Sequence, residues 1–251
     1  WETVFRDRRT RVWDDSTVAG LTWTRALTER YAVLARASYG HSNYDGQYVY
    51  DYAEEDDDPY TVITKDYWKG RWWEGELQLT ASPVDEHTIT VGTEIRYNAR
   101  QDQACWDEVV YLDDSRHSDN WGVYVQDEFQ LFEKLKLVGG VRHDEYSTFG
   151  GATNPRLALI YDPFEDTTLK LLYGQAFRAP NAYELYYHDG GSTQKAAIDL
   201  DSEQIDTYEV ILERQLNRDL RATIGCFRYV MENLIDQYMN PEDGLLVFKN
   251  L

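Results

Sequence analysis

The sequence predicts an all-β protein of the antiparallel up-and-down transmembrane β-barrel class, present here as a partial barrel of about 10–12 strands. Three observations predict this class. Apolar and polar side chains alternate along most of the chain, short and long connections alternate between the predicted strands, and aromatic residues are abundant, with 20 Tyr and 8 Trp among 251 residues. No run approaches the roughly 18 apolar residues that a membrane-spanning helix needs.

The alternation of side chains has the two-residue period of a β-strand. Between 73 and 81, apolar residues at every second position alternate with polar ones such as Glu74 and Glu76. The same period recurs in 16–25, 31–41, 88–97, 121–131, 135–144, 156–161, 167–178, 208–213 and 220–226, and a last strand is expected to start at 245. Because successive side chains of a strand point to opposite faces, each predicted strand has one apolar and one polar face.

The connections between these strands alternate in length. Short polar turns are predicted at 27–30, 83–86, 132–134, 163–166 and 216–219, and long loops near 42–65, 102–119, 147–153, 178–204 and 233–244. Outer-membrane barrels carry short turns on one rim and long loops on the other. Soluble sandwiches and propellers lack this regular asymmetry.

The polar face is predicted to line the lumen. A barrel of ten or more strands is too wide for side chains to fill, which favours a polar, wet or plugged interior. The charged residues expected to face the lumen or a plug are Glu74, Glu76, Glu94, Arg96, Glu128, Arg142 and Arg156. Aromatic residues near strand ends are predicted to form interfacial girdles: Trp23, Tyr31, Trp72, Trp73, Tyr97, Trp121, Tyr161 and Tyr173.

Composition excludes several classes of function. A formal net charge of −20 argues against nucleic acid as a partner, because phosphate binding requires a basic surface. Five scattered His residues, without an HExxH, GxSxG or CxxC motif, give no support to an enzyme. The two cysteines, Cys105 and Cys226, are predicted to be free thiols.

Specific motifs add a family resemblance to this pattern. The segment LLYGQAFRAPNAYELYY, at 171–187, resembles the FRAP box of TonB-dependent outer-membrane receptors, which precedes a large extracellular loop late in their barrel. The segment WGVYVQDEFQLFEKLKLVGGVRHDEYSTFGG, at 121–151, resembles the receptor segment in which a YxQDE strand and a GxRxDxYS strand succeed one another. NPRLALIYDP, IDTYEVILERQL and FRYVMENLIDQ then follow in the family's order.

The resemblance implies an active-transport receptor in the outer membrane of a Gram-negative bacterium. Such a receptor binds a scarce nutrient complex, such as a ferric siderophore, haem or cobalamin, in its extracellular loops and imports it with TonB-derived energy. Residues 1–251 are then expected to be a segment of one barrel domain, with the plug domain and remaining strands outside this chain. The implied partners are the TonB complex, acting through that plug, the lipid and lipopolysaccharide of the outer membrane, and a small-molecule metal complex. A passive porin and a soluble all-β binding module remain as alternatives.

Three loop features are candidates for ligand contact. Aromatic side chains can stack on a flat ligand, and His188 follows the FRAP box, where haem receptors present an axial His. The candidate ligand-binding residues are Tyr48, Tyr50, Tyr60, Trp106, Tyr111, Arg178 and His188. The acidic run at 51–60 predicts a calcium site at Asp56, Asp57 and Asp58, because Ca²⁺ prefers carboxylate oxygens, with a solvated acidic loop as the alternative.

Overall fold

One antiparallel sheet dominates the structure of the chain, a computed structural model that describes residues 2–53, 58 and 60–251. The sheet has 11 strands. They are β1 (Glu2–Thr3), β2 (Arg11–Ala26), β3 (Tyr31–Asp51), β4 (Thr61–Ala81), β5 (His87–Trp106), β6 (Val110–Phe132), β7 (Leu135–Tyr146), β8 (Gly150–Phe164), β9 (Thr167–Arg178), β10 (Glu203–Gln215) and β11 (Arg221–Glu232). A short helix, α1 (Ala182–Tyr186), and a hairpin of β12 (Ile235–Met239) and β13 (Leu246–Asn250) complete the described elements.

The sheet is a simple meander. From β3 to β11 each strand pairs antiparallel with the strand before it, and β2 pairs with β3 along 32–47. The short β1 pairs with the far end of β3, at Tyr50 and Asp51. Among the described residues, β2 and β11 lie at the two edges and the sheet does not close. The predicted all-β, up-and-down order is therefore confirmed. No helix in this part of the chain is long and apolar enough to span a membrane.

The two rims differ, as predicted, but three of the predicted long loops are wrong. The connections 27–30, 82–86, 133–134, 165–166 and 216–220 form the short-turn rim. At the opposite, long-loop rim, β3 and β4 continue through most of 42–65, β5 and β6 turn over within 107–109, and β7 and β8 turn over within 147–149. In these hairpin ends apolar side chains such as Val49 and Leu112 are buried, so the exposed apolar face stops while the backbone ladder continues.

The two faces of the sheet are inverted relative to a soluble protein. The apolar face, which carries Leu77, Ile95 and Val123, is exposed: these side chains are 54%, 62% and 44% accessible. The polar face carries Glu74, Glu94 and Arg142. The most buried apolar side chains, such as Val49, Leu112 and Leu185, lie at the long-loop rim. An exposed apolar surface of this extent marks a face that contacts another protein or a membrane.

Candidate ligand-binding site at the long-loop rim

The FRAP segment changes the chain from strand to helix within four residues. Pro180 lacks the N–H needed to extend the ladder, so β9 ends at Arg178. Asn181 then caps α1: its side chain accepts a hydrogen bond from the Glu184 amide at 2.9 Å, and Glu184 accepts one from the Asn181 amide at 2.8 Å. This reciprocal capping box sets the direction in which the following loop leaves the sheet.

Arg178 ties this helix to the sheet. Its guanidinium donates to Glu184 at 2.9 Å and to Glu203, the first residue of β10, at 2.6 Å. The side chain was a predicted ligand contact, and the structure shows that two carboxylates already occupy it. Its geometry is that of a positioning residue.

The loop 179–202 then folds back across the sheet. Gln103 on β5 donates to the Ala182 carbonyl at 2.9 Å, and the Tyr187 hydroxyl donates to Asp66 on β4 at 3.3 Å. The guanidinium of Arg116 on β6 stacks 3.7 Å above the ring of Tyr186. Because β4 lies five positions from β9 in the strand order, the loop crosses the sheet at its long-loop rim.

A cavity of about 180 Å³ lies between this loop and the ends of β3 to β6. Its lining is rich in tyrosine and contains no Lys or Arg. The lining residues are Tyr50, Tyr52, Thr64, Asp66, Cys105, Tyr111, Tyr183, Tyr187, Asp189, Ser192, Thr193 and Gln194. The cavity therefore offers aromatic faces, hydroxyl groups and carboxylates to a ligand.

Burial raises the pKa values of two groups in this cavity, the Cys105 thiol and the Tyr187 hydroxyl. Burial, followed by the neighbouring Asp66, raises the pKa of the Cys105 thiol to about 12. Burial and then the charge of Asp66 also raise the pKa of Tyr187 far above its ordinary value. Both groups stay protonated at neutral pH and can donate hydrogen bonds.

The pKa of Asp189, in contrast, is lowered. Burial raises the pKa of its carboxyl group, but hydrogen bonds from the Thr193 side chain and from the amides of Gln194, Thr193 and Ser192 outweigh that effect. The net result is a pKa below the ordinary value. The Thr193 and Gln194 amides lie 2.9 Å and 3.0 Å from its carboxylate oxygens, so Asp189 is an anion that organises the turn 189–194.

The structure brings two of the predicted ligand residues together at the cavity, Tyr50 and Tyr111. Tyr48 instead bonds the hydroxyl of Tyr44, and Trp106 packs edge-on to Tyr67, their ring centroids 5.7 Å apart. Both lie in strands, not in loops.

The remaining predicted contacts lie outside the cavity lining. Tyr60 is 53% exposed and donates to Glu108 at 3.2 Å. His188 follows Tyr187, and its Nδ1 accepts a hydrogen bond from the Gly190 amide at 3.4 Å. Asp56 and Asp57 fall outside the described residues, and Asp58 is exposed, so the calcium site stays a prediction.

Sequence reasoning missed Asp66, Cys105, Tyr183, Tyr187 and Gln194 as members of the site. Tyr183 and Tyr187 lie within the FRAP segment, which was the one available signal. The contact between Tyr187 and Asp66 joins residues 121 positions apart, and no local pattern predicts such a contact.

The strand register places all seven predicted lumen charges on the polar face. Arg142 bonds Glu94 at 2.7 Å and Asp144 at 2.6 Å, and Arg96 bonds Glu74 at 2.8 Å. Arg36 pairs with Glu76 at 2.9 Å, and Lys136 with Glu128 at 3.5 Å. The polar face therefore carries a ladder of ion pairs.

One predicted girdle residue is wrong. Trp72 lies on the polar face, where the Arg96 guanidinium sits 5.1 Å from its ring, whereas Trp73 lies on the apolar face. Neighbouring residues of a strand point to opposite faces, so the two cannot share a girdle.

An exposed apolar face, a charged opposite face and unequal rims are typical of an outer-membrane β-barrel. The chain matches the family described as TonB dependent receptor-like, beta-barrel, over residues 2–250. It therefore belongs to the β-barrel domain family of TonB-dependent receptors, which are outer-membrane receptors and not enzymes.

Individual relatives support this assignment. The chain is 24% identical to the vitamin B12 transporter BtuB of Vibrio cholerae, over 86% of this chain and 39% of that protein. It superposes on the copper transporter OprC with a TM-score of 0.71 at 14% identity, covering 97% of this chain and 43% of that chain. It superposes on a variant of the ferric enterobactin receptor PfeA of Pseudomonas aeruginosa with a TM-score of 0.68 at 18% identity, covering 94% of this chain and 39% of that chain. The chain thus spans about two fifths of BtuB, and the solved structures confirm its partial-barrel fold.

Proposed function

We propose that this chain forms part of the barrel of an active-transport receptor that binds a scarce nutrient complex at the long-loop rim. Import would use energy from the TonB complex, acting through a plug domain. The observation that carries the proposal is the tyrosine-lined cavity beneath the inward-folded loop 179–202. Aromatic faces and hydroxyl groups bind ligands with little loss of side-chain entropy.

The lining of the cavity favours a neutral nutrient complex over an anionic one. Asp66 and Asp189 contribute carboxylates, whereas no Lys or Arg lines the cavity. Two cations of the long-loop rim are already engaged: Arg178 bonds Glu184 and Glu203, and Lys195 bonds Asp243 at 2.6 Å. An anion would enter this field against Coulomb repulsion. A cobalamin-like corrinoid therefore fits better than a ferric catecholate, and the BtuB relative is named a vitamin B12 transporter.

The size of the cavity limits what it can hold. Pockets that enclose a whole small-molecule ligand are about 300–1,000 Å³, so a site of about 180 Å³ would receive one edge or side chain of a corrinoid. The rest of the ligand would contact the loops around the rim.

The polar face supports the transport part of the proposal. Most of its ion pairs are half-exposed, where single pairs contribute about 0–1 kcal/mol, although Asp144 in the pair with Arg142 is buried. Contacts of this strength can hold a plug and still be exchanged one at a time when the plug is pulled.

A binding titration of the whole receptor that contains this chain tests the ligand. We expect cyanocobalamin to bind more tightly than ferric enterobactin. Tyr111→Ala removes a ring from the cavity and should weaken corrinoid binding about tenfold. Tyr208→Ala, on the apolar face, is the matched control and should leave binding unchanged. Tighter binding of the catecholate, or equal effects of the two substitutions, would contradict the assignment.

Uptake in cells with and without TonB tests the energy coupling. An active receptor should accumulate labelled cobalamin only when TonB is present. Equal flux in both strains would instead establish a passive porin.

A further inference from the structure

One wall of the tyrosine-lined cavity carries a buried side-chain amide whose donor has no partner. Gln194 is 5% exposed and lines the cavity. Its Oε1 accepts hydrogen bonds from the Gln237 side chain at 2.9 Å and from the Tyr183 hydroxyl at 3.4 Å. Its Nε2 makes no hydrogen bond with any residue that the structure describes. A buried donor without an acceptor is costly, so a ligand group that accepts a hydrogen bond here relieves that cost.

Asp66 supplies an acceptor to the same cavity. Its carboxylate accepts hydrogen bonds from the Tyr187 hydroxyl at 3.3 Å and from the Cys105 thiol. A carboxylate has about four acceptor positions, so Asp66 keeps capacity for a donor on a ligand. Asp189 differs, because three backbone amides and the Thr193 hydroxyl already occupy both of its oxygens. Asp66 is therefore the carboxylate that a ligand can use, and Asp189 adds only negative charge.

Two stacked tyrosines hold Asp66 and Gln194 as neighbours. The ring centroids of Tyr183 and Tyr187 lie 4.6 Å apart, and the ring planes are inclined at 29°. The Tyr183 hydroxyl bonds Gln194, and the Tyr187 hydroxyl bonds Asp66. The unpaired donor and the available acceptor are thus separate groups held side by side by one aromatic stack. A ligand that serves both needs an acceptor and a donor on different atoms.

We propose that the cavity binds a primary carboxamide side chain of the nutrient complex, between Gln194 and Asp66. The carbonyl oxygen of that carboxamide accepts from Gln194 Nε2, its NH2 group donates to Asp66, and its plane packs against the tyrosine rings. The inference rests on the proposed function, because corrinoids of the cobalamin type carry several primary carboxamides at their periphery. A cavity of about 180 Å³ then selects a much larger ligand by binding one of its side chains.

Other polar groups fit this arrangement less well. A carboxylate would be repelled by Asp66 and Asp189, and no Lys or Arg lines the cavity to offset that repulsion. An ammonium group suits the carboxylates and the aromatic rings, but it leaves Gln194 Nε2 unpaired because it cannot accept a hydrogen bond. A hydroxyl group has one oxygen to serve both partners. Of these groups, the carboxamide alone is neutral and carries its donor and acceptor on different atoms.

Binding of cyanocobalamin and of its monocarboxylic acids to the whole receptor tests the assignment. In each acid one peripheral carboxamide is hydrolysed to a carboxylate, which has nearly the same shape but is negatively charged. We expect one of these acids to bind about tenfold more weakly than cyanocobalamin at neutral pH. Asp66→Asn removes the repelling charge and should restore the binding of that acid. Asp85→Asn, an exposed carboxylate at the short-turn rim, is the matched control and should restore nothing.

A second variant removes the donor and leaves the cavity charge of Asp66 in place. Gln194→Glu keeps an acceptor for Gln237 and Tyr183 but replaces the donor nitrogen with an oxygen. It should weaken the binding of cyanocobalamin about tenfold, because the ligand carbonyl then faces an acceptor. This variant remains informative if Asp66→Asn folds poorly. Unchanged binding of cyanocobalamin by Gln194→Glu would overturn the proposal.

The outcomes separate the carboxamide site from the proposed function. Equal binding of all the acids, or a weakened acid that Asp66→Asn does not restore, would overturn the site and leave the corrinoid assignment standing. No binding of cyanocobalamin would instead reject the corrinoid, and crystals of the receptor soaked in propionamide, propionate or propylammonium then decide the site. Density for propionamide alone in the cavity supports it. Density for propionate or propylammonium, or for water only, overturns it.

Discussion

At the scale of single residues, charged side chains at the long-loop rim organise the loop that covers the sheet. Arg178 joins β9, β10 and α1 through Glu203 and Glu184. Asp189 gathers three backbone amides into one turn. Both residues hold the loop that forms one side of the cavity, so they affect ligand binding without contacting a ligand.

Arg178→Gln should loosen the loop 179–202. The substitution leaves Glu184 and Glu203 without their shared cation, and the loss of charge-assisted hydrogen bonds costs about 1–3 kcal/mol of local stability. Hydrogen exchange at the Leu185 and Tyr187 amides should accelerate, while exchange in β7 stays unchanged. Arg214→Gln, which breaks the pair with Asp166 at the short-turn rim, is the control and should leave the loop protected.

The turn at Asp189 should depend on pH. Its folded pKa is lower than the ordinary 3.8, so its contribution is fully present above that value and is lost as the pH falls through the lower, folded pKa. Amide exchange at Thr193 and Gln194, measured between pH 6 and pH 2.5 and corrected for intrinsic rates, follows this loss. Asp189→Asn should show weak protection at every pH. An unchanged profile in that variant would show that the carboxylate does not organise the turn.

At the scale of elements, the sequence predicts a strand well where one face of the strand is apolar and the other is polar. Trp73 and Leu77 lie on the exposed apolar face of β4 and Glu76 lies on its polar face, so the faces of these residues could be predicted. The upper halves of β3 and β6 lack a regular alternation of apolar and polar side chains, so Tyr48, Tyr50 and Tyr111 were predicted in loops. A β-bulge at Ala99 inverts the alternation beyond Tyr97 and depends on pairing with β4, which no local pattern encodes.

Glycine on the polar face makes room for a neighbouring ring. The ring of Tyr124 lies where a Cβ of Gly92 would be, and its hydroxyl bonds Glu76 at 3.1 Å and Gln78 at 3.0 Å. Gly92→Ala should therefore displace Tyr124 and lower the free energy of unfolding by about 1–3 kcal/mol. Gly174→Ala is the matched control, because a Cβ there meets nothing within 4 Å. Denaturant unfolding of both variants in detergent measures the difference.

At the scale of the whole molecule, the inverted sheet explains both the composition and the membrane location. Charged residues make up 28% of the chain, yet large apolar side chains remain exposed along one face. The alternation and the rims could be predicted from sequence, and so could the family. The fold of the loop 179–202 could not, because it depends on contacts with β4, β5 and β6 that are distant in the chain.

Neighbouring residues of one strand are expected to face lipid and lumen in turn. Spin labels at Val125→Cys and Gln126→Cys, in a whole receptor that carries Cys105→Ala and Cys226→Ala, test it directly in outer-membrane vesicles. The two positions are neighbours on β6 and therefore differ little in depth. We expect the label at 125 to collide mainly with membrane-dissolved oxygen, and the label at 126 to show little oxygen access. Equal accessibility at both positions, or the reverse order, would contradict the account.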